Sequence, residues 1–178
     1  MLGRLGGKKD EKKMKKRWIS LYVENEVGVL AKISGLFSGK SYNLTSLTVG
    51  TTEDPTMSRM TISVESDDAT FEQIRKQLNR CVEVIEVIDF TNSRIHRKEI
   101  LYIKVKDCDE KAKTEVFRIA QVFNLAIVDY GKNEILLECL QTETRNDEII
   151  QYFSEYFKKI EVVRGGSVAI KGVSVEEK

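Results

Sequence analysis

The residues that could do chemistry here are a strand-to-helix turn, Tyr22-Val23-Glu24-Asn25-Glu26-Val27-Gly28-Val29-Leu30, and a later group, Tyr42-Asn43-Leu44. A β-branched run ends at Val23, a polar turn follows, and an amphipathic helix starts near Gly28. A helix start offers backbone N–H groups with no intrahelical acceptor, which suits a small anion such as a carboxylate. The turn therefore fits a site for an amino-acid effector. It fits equally a plain helix start with Asn25 as N-cap, and Asn43 fits a plain turn residue at a strand start.

Catalytic chemistry finds no such footing. The single histidine, His96, stands beside Arg94 and Arg97, with no Ser or Cys pattern from which a triad could be built. Cys81, Cys108 and Cys139 lack CxxC or metal-ligand spacing, so they read as buried reduced thiols. No G-x-G-x-x-G, Walker A or H-E-x-x-H sequence occurs. No catalytic residue and no metal site are expected.

Composition narrows the class further. At 41% hydrophobic and 32% charged residues, the chain is that of an ordinary globular protein. It has neither a run long enough to cross a membrane nor the apolar core of a secretion signal, and a cytoplasmic protein is expected. The net charge of +1 is uneven: residues 1–17 hold eight Lys or Arg against Asp10 and Glu11, leaving 21 basic and 26 acidic residues in the rest. A mildly acidic body is not a nucleic-acid-binding face. The aromatic run by which some sheets stack RNA bases is also missing from Ser58 to Glu65. Neither nucleic acid nor membrane is expected as a partner.

The elements that position the turn follow from periodicity. Ile19, Leu21 and Val23 alternate with polar and aromatic residues as a strand with one buried face. Val29, Leu30, Ile33, Leu36 and Phe37 make the stripe of a helix that Gly39-Lys40-Ser41 ends. A strand at residues 42–50, a turn around Pro55 and a strand with Met60, Ile62 and Val64 inward form a hairpin. A helix capped by Asp67 or Asp68, with Phe71, Ile74 and Leu78 on its face, then leads to a strand at residues 82–90. The order strand, helix, strand, strand, helix, strand is a split βαβ, ferredoxin-like unit.

The same order recurs. Leu101, Ile103 and Val105 make a strand, and Ala112 to Phe123 a helix. Residues 125–130 and 134–140 form a hairpin around Gly131-Lys132-Asn133. Ile149 to Phe157 make a helix, and residues 160–163 and 168–170 a last strand or a bent pair split by Gly165-Gly166. The fold expected is α+β, two tandem ferredoxin-like βαββαβ domains. The domains are a basic extension at 1–16, a first domain at 17–91, a linker at 92–98, a second domain at 99–172 and a tail at 173–178. Such a sheet carries helices on one face only. Trp18 and Tyr22 would lie on a bare second face, and exposed edges and faces of this kind favour a dimer.

The run from Val23 to Leu30, then Gly35-Leu36-Phe37-Ser38 and Tyr42-Asn43-Leu44, resembles the ACT domain. Asn43-Leu44-Thr45-Ser46-Leu47-Thr48-Val49-Gly50 and Glu53-Asp54-Pro55-Thr56-Met57-Ser58-Arg59-Met60-Thr61-Ile62 resemble the regulatory small subunit of acetolactate synthase (acetohydroxyacid synthase). The likeness spans roughly residues 18–171, and residues 99–171 resemble that family's C-terminal domain more loosely. It implies a non-catalytic subunit of branched-chain amino-acid biosynthesis. Such a subunit forms a homodimer through its ACT domains, activates the catalytic large subunit and confers feedback inhibition by valine, or by leucine or isoleucine. By position, Asn25 and Asn43 would make the polar contacts to the effector. Gly28, Val29 and Leu30 would supply backbone N–H groups and close approach, and Leu44 and Val27 would border its side chain. The catalytic large subunit would carry thiamine diphosphate, Mg²⁺ and FAD; this chain would bind no cofactor. A stand-alone ACT-type amino-acid sensor acting on another protein is the alternative. Ser41 stands where the family has Gly before the Tyr-Asn pair.

Overall fold

The computed structural model describes residues 13–40 and 42–173. The basic residues before Lys13, the tail from residue 174 and the departure at Ser41 lie outside the described residues. Two compact units share the chain, parted between Thr91 and Asn92 except that Ser46–Gly50 groups with the second. Each holds one four-stranded antiparallel sheet, as the alternation predicts.

In the first unit β1 (Lys15–Glu24), α1 (Val29–Ser38), β2 (Asn43–Thr51), β3 (Met57–Ser66), α2 (Asp68–Leu78) and β4 (Val84–Asp89) follow in order. The strands lie β2-β3-β1-β4, so β1 is central and β2 is an edge. The register sets Ile19 opposite Ile62, Leu21 opposite Met60 and Val23 opposite Ser58. These β1 residues, with Ile33, Phe37, Phe71, Ile74 and Leu78 from the helices, are buried as the helix-side core.

The other face of this sheet is not bare, which corrects the expectation for Trp18. Trp18 is 5% exposed, and Ser20, Thr61 and Ser63 are buried around it. Here hydroxyls satisfy one another: Thr45 Oγ1 and Ser63 Oγ lie 2.6 Å apart, and Arg59 Nε donates to Ser20 Oγ at 2.9 Å. Lys16 and Arg59 lay their cations over the Trp18 and Tyr22 rings. Lys and Arg stems cover apolar surface while the charge stays wet, and simple alternation does not reveal this.

The second unit repeats the order with β5 (Ile95–Val105), α3 (Glu110–Phe123), β6 (Ala126–Tyr130), β7 (Ile135–Gln141), α4 (Glu143–Tyr156) and β8 (Ile160–Lys171), in the spatial order β6-β7-β5-β8. Leu101, Ile103, Val105, Val116, Ile119, Ile135, Leu137, Ile149 and Phe153 form its core. Three boundaries differ from those expected. Lys15 and Lys16 belong to β1, paired with Ser66 and Glu65, so the basic extension ends earlier than residue 16. Residues 95–98 are strand rather than linker: His96 pairs with Ile170 and Lys98 with Val168. The last strand is continuous, because a register shift between Glu99 and Leu101 and a positive φ of 77° at Gly166 absorb the irregularity that the two glycines announced.

One buried polar group organises this second interior. Asn146 of α4, fully buried, donates from Nδ2 to the Glu99 carboxylate at 2.9 Å and to its backbone carbonyl at 3.2 Å. Arg164 holds the same carboxylate through Nε and Nη2 at 3.1 and 2.7 Å, and these partners raise its already high pKa. Burial pushes the Cys108 and Cys139 thiols up, which keeps them protonated. Removing Asn146 would strand buried acceptors beside the register shift. Asn146→Ala should therefore cost about 2 kcal/mol of stability in urea unfolding.

Candidate functional site

The five candidates at the first turn occupy one continuous segment that runs from the end of β1 into the first turn of α1. Gly28 is the N-cap of α1, with φ 92° in the left-handed region. A Cβ placed there would meet nothing within 4 Å, so the glycine is required by its backbone angle and not by close approach of a neighbour. Val27 is fully exposed, Leu30 is 44% exposed, and Val29 at 6% belongs to the core. Val29 can thus act only through its backbone, whereas Val27 and Leu30 present their side chains to solvent.

The start of α1 is chemically unlike the other helix starts. Asp67, Asp109 and Thr142 cap α2, α3 and α4, each side chain accepting from a first-turn N–H, and an acidic residue stands in each of those first turns. Helix α1 has no side-chain cap and no acid in its first turn. Only weak backbone closure occurs there, Val29 N–H to the Glu26 carbonyl at 3.4 Å, while the N–H groups of Leu30 and Ala31 have no intrahelical acceptor. The positive end of the helix dipole is left uncompensated, which favours an anion.

Asn25 is not the cap. Its backbone N–H donates to the Thr56 carbonyl at 2.8 Å, and its side chain makes two further bonds, to Pro55 in the β2–β3 turn and to Ser58 at the start of β3. That turn is itself tied: Asp54 Oδ1 accepts from Thr56 N–H at 2.8 Å and from Thr56 Oγ1 at 2.7 Å. Those two bonds hold the Asp54 carboxyl below its usual 3.8. On the other flank Lys32 Nζ reaches Glu83 at 2.5 Å, which raises the Lys32 pKa and lowers that of Glu83.

Asn43 and Leu44 lie at the start of β2, Asn43 exposed and Leu44 half-buried. Thr45 bonds Ser63, and the Thr52 N–H donates to the Met57 carbonyl, so β2 runs antiparallel to β3 with Asn43 level with Glu65. Asn25, by contrast, is level with Thr56. About nine residues of strand, roughly 30 Å, separate the two levels. The seven candidates therefore form two clusters at opposite ends of one sheet, and a single copy does not bring them together.

Ser58 is the residue that the pattern did not single out. It occupies the inward column that holds Met60, Ile62 and Val64, yet it carries a hydroxyl and is 6% exposed. A buried polar residue in an apolar column needs a partner, and that was the available signal. Among the described residues no three His, Cys, Asp or Glu side chains gather as a metal site, and no helix is long and apolar enough to cross a membrane.

The βαββαβ order of the first unit is that of an ACT domain, and residues 19–86 match the family described as the AHAS small subunit-like ACT domain. Residues 98–172 match the family described as the small subunit of acetolactate synthase. The chain is 40% identical over 155 residues to the probable acetolactate synthase small subunit of Archaeoglobus fulgidus, covering 87% of this chain and 96% of that one. It is 34% identical to the acetolactate synthase isozyme 3 small subunit of Escherichia coli, covering 87% and 94%. The crystal structure of the acetolactate synthase small subunit from Thermotoga maritima superposes with a TM-score of 0.81 at 30% identity, covering 90% and 99%. The chain belongs to the acetolactate synthase small-subunit family.

Two outcomes follow from this geometry. Gly28→Ala should destabilise the chain by about 1–2 kcal/mol in thermal unfolding, through backbone angle and without a clash. Because the Asp54 pKa is lowered on folding, its contribution is present above the ordinary 3.8 and lost as pH falls below that value. Protection of the Thr56 amide, taken against its intrinsic exchange rate at each pH, should fall over the same acid range.

Proposed function

We propose that this chain is the regulatory subunit of an acetolactate synthase. In this reading it binds valine, or another branched-chain amino acid, in a pocket shared by the ACT domains of two copies, and so confers feedback inhibition on a separate catalytic large subunit. Thiamine diphosphate, Mg²⁺ and FAD are assigned to that large subunit; this chain contributes no catalytic residue. Its relatives are named as small subunits of that enzyme, which supports the assignment.

The observation that carries the shared pocket is the placement of the two clusters at opposite ends of the sheet. The strand with Asn43 and Leu44 is an edge, and edge strands recruit other strands. Antiparallel pairing of two β2 strands about a twofold axis sets the start of one beside the end of the other. Asn43 of each copy then approaches the Asn25–Leu30 turn of its partner. The effector carboxylate meets the open N–H groups of α1, and Val27, Leu30 and Leu44 offer apolar surface to its side chain.

Mixing the chain with a catalytic large subunit should raise acetolactate formation, and added valine should lower it again. Valine binding without any effect on the large subunit would instead indicate a stand-alone sensor. A complementation experiment tests the pocket itself. Asn25→Ala and Asn43→Ala should each weaken binding about 10- to 100-fold by calorimetry, which leaves their sites empty at valine concentrations that fill the parent. After the two variants are mixed and allowed to exchange, about half of the dimers are hybrids with one intact site, so about a quarter of the sites should return. No recovery would show that the two asparagines do not share a pocket.

A further inference from the structure

The segment Glu53–Ser58 has no part in the effector site as described so far. We propose that Ser58, together with the Pro55 carbonyl, is a positioning element that fixes the Asn25 carboxamide for the effector, so that the β2–β3 turn is a structural component of the site. The inference rests on the effector reading above and adds the residues that orient its polar contact.

The hydrogen bonds permit only one orientation of Asn25. Its two amide ends are hard to tell apart by shape, but their partners differ. A carbonyl only accepts, so the end facing Pro55 O at 2.9 Å must be Nδ2. The end facing Ser58 is then Oδ1, and the Ser58 hydroxyl must donate to it, also at 2.9 Å. One N–H and one oxygen lone pair remain for a ligand. That pair matches an α-amino acid: the N–H serves the carboxylate and the carbonyl oxygen serves the ammonium.

The platform is stiff where it holds Asn25. Thr52 Oγ1 accepts from the Asp54 N–H at 3.1 Å, the Met57 N–H donates to the Asp54 carbonyl at 3.0 Å, and Asp54 holds Thr56. Ser58 begins the buried column of β3 directly across from Val23, two residues before Asn25. A strand already locked by the core therefore aims the hydroxyl. An exposed asparagine without these bonds would sample several rotamers, and a ligand would have to order it at an entropic cost.

The test is a double-mutant cycle on the full chain, read by valine calorimetry. Ser58→Ala should weaken binding about 3- to 10-fold, the range of one hydrogen bond. In an Asn25→Ala background the same change should alter it less than about twofold, and Ser58→Thr, which keeps the hydroxyl, should restore most of the affinity. Without ligand, the Asn25 Nδ2 amide resonances should stand apart from those of exposed asparagines in the parent chain, and should move towards exposed-asparagine positions in Ser58→Ala. Equal losses in both backgrounds, or unchanged affinity in Ser58→Ala, would overturn the positioning role and leave the effector reading standing. A parent chain that binds no branched-chain amino acid, with the amide resonances still responding to Ser58→Ala, would overturn the effector reading and keep the clamp.

Discussion

The pairing of β1 with β3, unbroken from Lys15 to Glu24, is the constraint on which the first domain depends. Its register does three things at once. It puts Ile19, Leu21 and Val23 on the helix side with Met60 and Ile62, so the core and the strand order specify each other. It ends β1 level with the β2–β3 turn, where Asn25 finds its partners. Because β3 separates β1 from β2, it also sends Asn43 to the far end of the sheet. A slip of one residue would turn the core column outward and separate Ser58 from Asn25 together. Site and core share one register.

Much of this was legible in the sequence because each domain is amphipathic at two clean periods. Alternation at Ile19–Val23 and Met60–Val64, and helical spacing at Phe71–Leu78, fixed element types and order. Strand ends were harder to read wherever backbone pairing continues through polar residues. Ile95-His96-Arg97-Lys98 has no apolar face, yet its backbone groups pair with residues 168–171. The buried hydroxyl layer of Ser20, Thr61 and Ser63 was invisible for a related reason: a polar residue satisfied by polar neighbours has the same letter as a solvated one. The candidate residues at the turn were legible as types, and the roles of Asn43 and Leu44 only through family resemblance. Their separation across the sheet follows from register, which no local pattern contains.

The two domains show how one topology serves different ends. Where α1 begins uncapped on a left-handed glycine, α3 begins on Asp109, whose carboxylate accepts from the Ala112 N–H at 2.7 Å. The corresponding turn of the second domain has thus engaged one of the donors that an anion would need and set a carboxylate where it would sit. Its buried polarity lies instead at Glu99, Asn146 and Arg164, where every strong acceptor is met within the domain. Architecture alone would make the two helix starts equal; capping chemistry sets them apart.

A pocket divided between two copies makes ligand binding and assembly the same equilibrium. In the proposed arrangement neither cluster alone gives an amino acid both an anion site and the second asparagine, so the ligand favours the paired state over the separate one. Ligand at a hundred times its dissociation constant adds about 2.7 kcal/mol to the state that binds it. Such a shift is comparable with the few kcal/mol that separate alternative conformations of a protein. How much of it reaches the packing depends on how stiffly the contacts are held. A freely rotating Asn25 would absorb the ligand by changing rotamer, whereas one held by Ser58 and Pro55 passes the demand on to the β2–β3 turn, and through β2 to the edge where a second copy would pair.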